Sequence, residues 1–302
     1  AFVGNMKVGS EAALNALTLV FPVQMLIISV AVGTGVGINS LIARRLGAQR
    51  YEEADLAASH GYRISFFNWM FFALIGIFLS GPMMHMMSDT PYIVENGEKY
   101  MFIITVGSLF SIIQITSEKI LQSTGNMKIP MICSIAGAAT NIILDPMFIF
   151  GVGPFPEMGV TGAAVATIMG QFVSMCLGQY FLFAKEHAVN VRLRGWKVQG
   201  RILRDIYAVG APAILMQSIT SVMQFGMNII LGNLTETAVA VMGVYGRLQS
   251  FIFMPVFGLN QGVLPVMGFN YGARNRKRLM EAYKKGVFTA LVIMGIGLIL
   301  FQ

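Results

Sequence analysis

The 302 residues are 55% hydrophobic and only 12% charged, with a mean hydropathy of +0.68, which excludes an ordinary soluble domain and indicates an integral membrane protein. The net charge of +7 does not point to nucleic acid, because the basic residues gather in alternate loops instead of covering a folded surface. Two cysteines without CxxC spacing, Cys133 and Cys176, give no disulfide framework or structural zinc site and read as packing residues.

In chain order, apolar stretches cover residues 12–41, 61–87, 93–117, 129–151, 159–184, 206–232, 237–267 and 286 onward. All but the last are long enough to cross a hydrocarbon core of about 30 Å as helices rising about 1.5 Å per residue. Strict two-residue alternation is absent, which excludes a transmembrane β-barrel. The pattern therefore predicts eight helices, the last cut short. Eighteen of the 21 Lys and Arg residues lie between the first and second, between the third and fourth, after the fifth and after the seventh stretch. By the positive-inside rule those loops are cytoplasmic, in a bacterial-type plasma (inner) membrane. Phe66, Phe67, Trp69, Phe71 and Phe72 surround the second helix and read as lipid-facing, whereas Glu118 and Lys119 read as a solvated helix end.

The fourth stretch, IPMICSIAGAATNIILDPMFIFG, carries a single charge, Asp145. Asn141 lies one turn earlier on the same face, and Pro146 withholds an amide hydrogen beside it. A carboxylate at that depth costs about 2.5–3.5 kcal/mol on insertion scales, so it belongs in a bundle interior or a wet cavity, where it can take up a proton or a cation. Asn141 adds an amide oxygen for sodium or an amide donor for the carboxylate. The loop charges run this helix from inside to outside, which puts Asp145 roughly 9 Å below the outer end and its cavity nearer the outer face.

An internal repeat organises the chain. A shift of 225 residues aligns residues 11–61 with 236–286 without a gap, and ten of the 51 pairs are identical, among them Gln24 with Gln249, Gly33 with Gly258, Gly37 with Gly262 and Gly47 with Gly272. Gly33 and Gly37, like Gly258 and Gly262, are expected to form a small-xxx-small helix contact, and for GTGVG this is a better reading than a phosphate loop, since no Lys-Ser follows. Val3-Gly4-Asn5 matches the end of the 206–232 helix, so most of a first helix is expected before Ala1, and the second copy is expected to end about 107 residues past Gln302. The expectation is an all-α fragment of a twelve-helix protein built from two parallel six-helix repeats, running from the end of helix 1 through part of helix 9. It divides into an amino-terminal lobe over 1–184, a basic cytoplasmic linker over 185–205 containing Trp196, and the first half of a second lobe over 206–302.

These motifs resemble the multidrug and toxic compound extrusion (MATE) family: SLIARRLGA after the Gly-rich helix, NIILDPMFIFG with Asp145, GVTGAAVAT, and GRLQSFIFMPVFGLNQGVLPVMGFNYGA. The resemblance covers almost the whole chain, in the family's order. It implies two six-helix lobes that rock around a central cavity and expel small organic cations against a proton or sodium ion, without other cofactors. The Asn141 and Asp145 run resembles the DinF-like branch, in which these positions belong to an ion site of the amino-terminal lobe, taking a proton or Na+. The NorM-like branch would place an acid between residues 208 and 231, where only Gln217, Gln224 and Asn228 occur.

Candidate cavity residues are Gln24 and its mate Gln249, which read equally as interhelical hydrogen bonds; Gln217; Met223 on a face with Met216 and Met227 that packing also explains; and Arg247, a charge that either repels or steers cations or snorkels to the interface. His60, His85 and His187 are scattered, with no arrangement for metal binding or catalysis, so no enzyme is expected. The expected partners are organic cations and the bilayer, with no nucleic acid, for a functional monomer. The alternative reading, a flippase for lipid-linked oligosaccharides, would want a strongly cationic cavity for pyrophosphate, and apart from Arg247 no arginine is expected inside the helices.

Overall fold

The computed structural model describes residue 3 and residues 10–152, 155–184, 188–191, 199–232 and 236–300. Eight helices follow one another: α1 Ser10–Gly47, α2 Tyr51–Met87, α3 Pro91–Ser123, α4 Lys128–Phe150, α5 Gly159–Ala184, α6 Gly200–Gly232, α7 Glu236–Gly272 and α8 Arg276–Leu300. Among the described residues there is no strand, and seven helices, all but the 33-residue α6, are counted long and apolar enough to cross a membrane. The chain is a multi-pass membrane protein. The last apolar stretch reads as too short to cross, and the structure corrects this: the helix begins at Arg276 and offers a 24-residue span.

The same correction applies at other helix ends. α1 runs on through Arg44 and Arg45 to Gly47, α2 begins ahead of Arg63, and α6 begins ahead of Arg201 and Arg204. Outside the hydrocarbon a polar residue can stay helical, so hydropathy marks the membrane-embedded length and not the helix. Many basic residues assigned to loops therefore stand on helix ends. The connection expected over 185–205 also stops earlier, at Gln199, while Trp196 lies outside the described residues. Its described part docks on α2: Val189 is buried, the Asn190 amide donates to Asp55 Oδ1 at 2.7 Å, and the Gln199 amide donates to His60 Nε2 at 3.0 Å.

The repeat is carried in backbone detail. α1 ends at Gly47, turns through Ala48 and Gln49, and α2 starts at Tyr51; shifted by 225 residues, α7 ends at Gly272, turns through Ala273 and Arg274, and α8 starts at Arg276. Gln49 and Arg274 are repeat mates, and they are the two non-glycine residues with positive φ among the described residues, at 59° and 54°. Each turn uses the left-handed region to close its helix.

α1 is the central helix, packed against α2, α3, α6 and α7; α3 connects α2 to α5, and α4 lies on α5. Lipid tails are as apolar as leucine, so close backbone approach and polar contacts hold such a bundle together. A Cβ at Gly37 would stand 2.2 Å from the Ile206 carbonyl oxygen, and one at Gly33 would stand 2.4 Å from Ile214 Cγ1, so both glycines seat α6 against α1. α2 supplies hydrogen bonds on three levels: Tyr62 with Ser117 and Gln179, Ser65 with Thr116, and Asn68 to Thr34. Its aromatic cluster is not uniformly lipid-facing. Phe66, Phe67 and Phe71 are exposed, but Phe72 is buried in the core and Trp69 is half-buried, donating Nε1–H to the Val106 carbonyl at 2.8 Å. The helix turns one side to α3, and that side is packed whatever its chemistry. Of the cysteines, Cys133 is buried and Cys176 exposed.

Tyr62 tests this glue. Its hydroxyl lies 2.8 Å from Ser117 Oγ and 3.0 Å from Gln179 Oε1, and Gln179 Nε2 also donates to Ser117 Oγ at 2.9 Å. Tyr62→Phe should lower stability by about 1 kcal/mol, read as a lower thermal unfolding midpoint in detergent; an unchanged midpoint would show that the triangle holds nothing.

Candidate ion and cargo site

α4 and α5 cross where two glycines face each other. A Cβ on Gly137 would lie 2.8 Å from the Gly170 carbonyl oxygen, and one on Gly170 would lie 2.7 Å from the Gly137 carbonyl oxygen and 3.0 Å from Asn141 Cβ. This crossing fixes where Asn141 stands. One turn on, Asn141 Nδ2 donates to Asp145 Oδ1 at 3.3 Å, and both side chains are half-buried. Pro146 follows inside the helix, which continues to Phe150 and closes on Gly151 in the left-handed region, φ 68°. Tyr100, buried on α3, stands within electrostatic reach of Asp145, a neighbour that sequence spacing did not indicate.

A polar cavity of about 200 Å³ opens beside Asn141, lined by Gln114 of α3, Ser134 and Asn141 of α4, and Thr167, Gln171 and Ser174 of α5. It extends from Asn141 back along α4 by about two turns, toward the turn that joins α3 to α4. Gln171 Oε1 and Ser174 Oγ are buried without a hydrogen-bond partner in the described structure, and such atoms call for water or a cation. At the far end, Glu118 accepts hydrogen bonds from Ser134 at 2.7 Å and Gln114 at 3.1 Å. Carboxylates therefore stand beyond both ends of the cavity.

Glu118 and Lys119 are not a solvated helix end. Lys119 is 6% exposed; its stem passes Gly35 of α1, where an added Cβ would be 2.7 Å from Lys119 Cγ. Its ammonium donates to Gln122 Oε1 at 3.0 Å and to Gln261 Oε1 of α7, while Asn39 donates to its carbonyl at 3.2 Å. Only the fold brings Gly35 and Gln261 to this lysine.

Gln24 is half-buried on α1, Gln217 and Met223 are exposed on α6, and Gln249 is exposed on α7; the Arg247 side chain lies outside the described residues. The close contacts of α1 with α7 collect at their C-terminal ends. A Cβ on Gly47 would meet the Phe269 carbonyl oxygen at 1.9 Å, and one on Gly272 would meet the Arg44 carbonyl oxygen at 2.0 Å. Further along α7, Gly258 and Gly262 face open space. Arg44 and Arg45 also correct the expectation that Arg247 is the one helical arginine, since α1 extends beyond its apolar stretch.

The Gly137/Gly170 crossing gives a test. Gly170→Ala should push α4 off α5 at Asn141, at a cost of about 1–3 kcal/mol, and lower the thermal unfolding midpoint more than Gly178→Ala two turns away, whose Cβ meets Ser117 at an ordinary 3.6 Å. Equal midpoints for the two variants would show that the crossing is not tight at Gly170.

A family model described as MatE matches residues 1–147 and 212–301. The chain is similar to a FAD transporter of Shewanella oneidensis, 26% identical over 276 residues that cover 91% of this chain and 61% of that protein. It is also similar to the multidrug export protein MepA of Staphylococcus aureus, 27% identical over 305 residues, 99% of this chain and 63% of that protein. Among solved structures it resembles an outward-facing multidrug resistance MATE family transporter of the MOP superfamily, with TM-score 0.87, 32% identity, and coverage of 96% of this chain and 63% of that one. A MATE crystal structure in the straight conformation gives TM-score 0.87 at 31% identity, covering 93% and 62%. The chain thus spans about three-fifths of the length of these relatives.

Proposed function

The chain belongs to the MatE family, and from that premise we propose that it works as a cation-coupled exporter of organic cations, with Asp145 and Asn141 as the site of the coupling ion. The observation that carries the reading is the 3.3 Å contact between Asn141 and Asp145 inside a membrane-crossing helix, beside a polar cavity with unpartnered oxygens. A proton or sodium ion fits this donor set; the carboxylate supplies charge, and the amide and hydroxyl oxygens complete the coordination.

Coupling needs two conformations with different affinity for the ion, because an ion bound equally by both shifts nothing. Residues 1–184 and 206–302 act as two bodies that rock about the α1/α7 crossing, and the cleft between them takes cargo against Gln24, Gln217, Met223, Arg247 and Gln249. Ion uptake at Asp145 then favours the state that releases cargo. MepA supports organic drugs as the cargo class, and the relative named FAD transporter makes FAD the second cargo to try.

The test is efflux of a fluorescent organic cation from proteoliposomes containing the full-length protein, under separately imposed proton and sodium gradients. Transport driven by one gradient and abolished by Asp145→Asn, with the variant still folded, supports the site and identifies the ion. Wild-type coupling in folded Asp145→Asn would defeat the assignment.

A further inference from the structure

Five arginines line one cavity of about 690 Å³ at the cytoplasmic end of α1 and α7. Arg44 and Arg45 come from the last turn of α1 and Arg50 from the turn behind it; Arg274 and Arg276 come from the repeat-mate turn and the start of α8. Basic loops alone follow from the positive-inside rule, but that rule does not bring two of them to one concavity. The Gly47 and Gly272 crossing does, by letting each helix end touch the backbone of the other.

The positive charge here is incompletely balanced. Arg45 pairs with Glu53 at 3.0 Å and Asp205 at 3.2 Å, and Arg50 reaches the same Glu53 at 3.5 Å. Arg44 donates Nε–H to the Ser40 carbonyl at 3.3 Å, and neither it nor Arg274 nor Arg276 has a carboxylate partner among the described residues. Guanidinium groups held together at a membrane surface repel one another unless an anion sits between them, and their planar forks match phosphate oxygens. Leu41, Leu279 and Met280 give the cavity an apolar wall as well. Basic pockets between helices on the cytoplasmic side suit phosphate-bearing head groups.

We infer that this cavity binds a phosphate-bearing anion, from either an anionic phospholipid of the inner leaflet or a soluble phosphate, and that the anion bridges the two copies of the repeat. This binding is independent of the ion site at Asp145.

The full-length protein in an uncharged detergent is melted with added phosphatidylglycerol, with phosphatidylcholine, or with inorganic pyrophosphate. Three forms are compared: wild type, Arg274→Gln/Arg276→Gln, and a control that loses the same charge outside the cavity, Arg201→Gln/Arg204→Gln on the exposed start of α6. The expected result is a rise of several degrees in the wild type and the control that is lost in the cavity variant. A rise with phosphatidylglycerol alone assigns the lipid; a rise with pyrophosphate alone assigns the soluble anion. Equal loss in both variants, or no rise in the wild type with either anion, overturns the inference. Without anion, the cavity variant should melt no lower than wild type, since like charges have been removed. A lower midpoint would mean that these arginines hold the fold themselves, and would overturn it too.

Discussion

Alanine at Gly47 or at Gly272 is expected to separate the C-terminal ends of α1 and α7. At either position the new Cβ would lie about 2 Å from a carbonyl oxygen of the other helix, a clash with backbone that no rotamer relieves. Overpacking of this kind costs about 1–3 kcal/mol, and each single variant should melt correspondingly lower. The two sites face each other, so a displacement forced by one Cβ makes room for the second. The double variant should therefore lose clearly less stability than the two singles added together. Full additivity in thermal unfolding would mean that the two contacts are separate, and the paired crossing would be wrong. A distance probe across the C-terminal ends should show the same widening in all three variants.

The second large effect is expected at Lys119. Its ammonium joins Gln122 on its own helix to Gln261 on α7, and its stem fills the slot left by Gly35. Lys119→Ala removes the stem and leaves the glutamine oxygens short of a donor in a buried place, a loss of about 2–3 kcal/mol. Lys119→Met keeps the stem and should lose less. Combining Lys119→Met with Gln261→Leu removes donor and acceptor together, and stability should return toward wild type. A double variant no better than Lys119→Met alone would show that Gln261 does not depend on this lysine.

Local chemistry in the sequence foretold the local parts of this structure. Asn141 and Asp145 are four residues apart on one helix, so spacing alone sets them on one face, and the structure has them hydrogen-bonded. The 225-residue repeat predicted matched helix ends, and Gln49 and Arg274 match even in the sign of φ. What spacing does not contain is which helix lies opposite. Lys119 near a helix end looks solvated until α1 and α7 are placed beside it. Gln171 and Ser174 look like incidental polar residues on an apolar helix; they become part of a site only because α5 crosses α4 at Gly170 and meets Gln114 of α3. The extra polar turns of α1, α6 and α8 escape hydropathy for another reason, because a helix outside the bilayer needs no apolar residues.

The place of the α1/α7 crossing also sets a mechanical ratio. α1 has 38 residues and touches α7 most closely at Gly47, its last residue, so most of its roughly 57 Å lies on one side of that contact. The contact therefore stands near the end of a long arm: were the two helices to tilt about it by about 5°, the far end would move by about 5 Å.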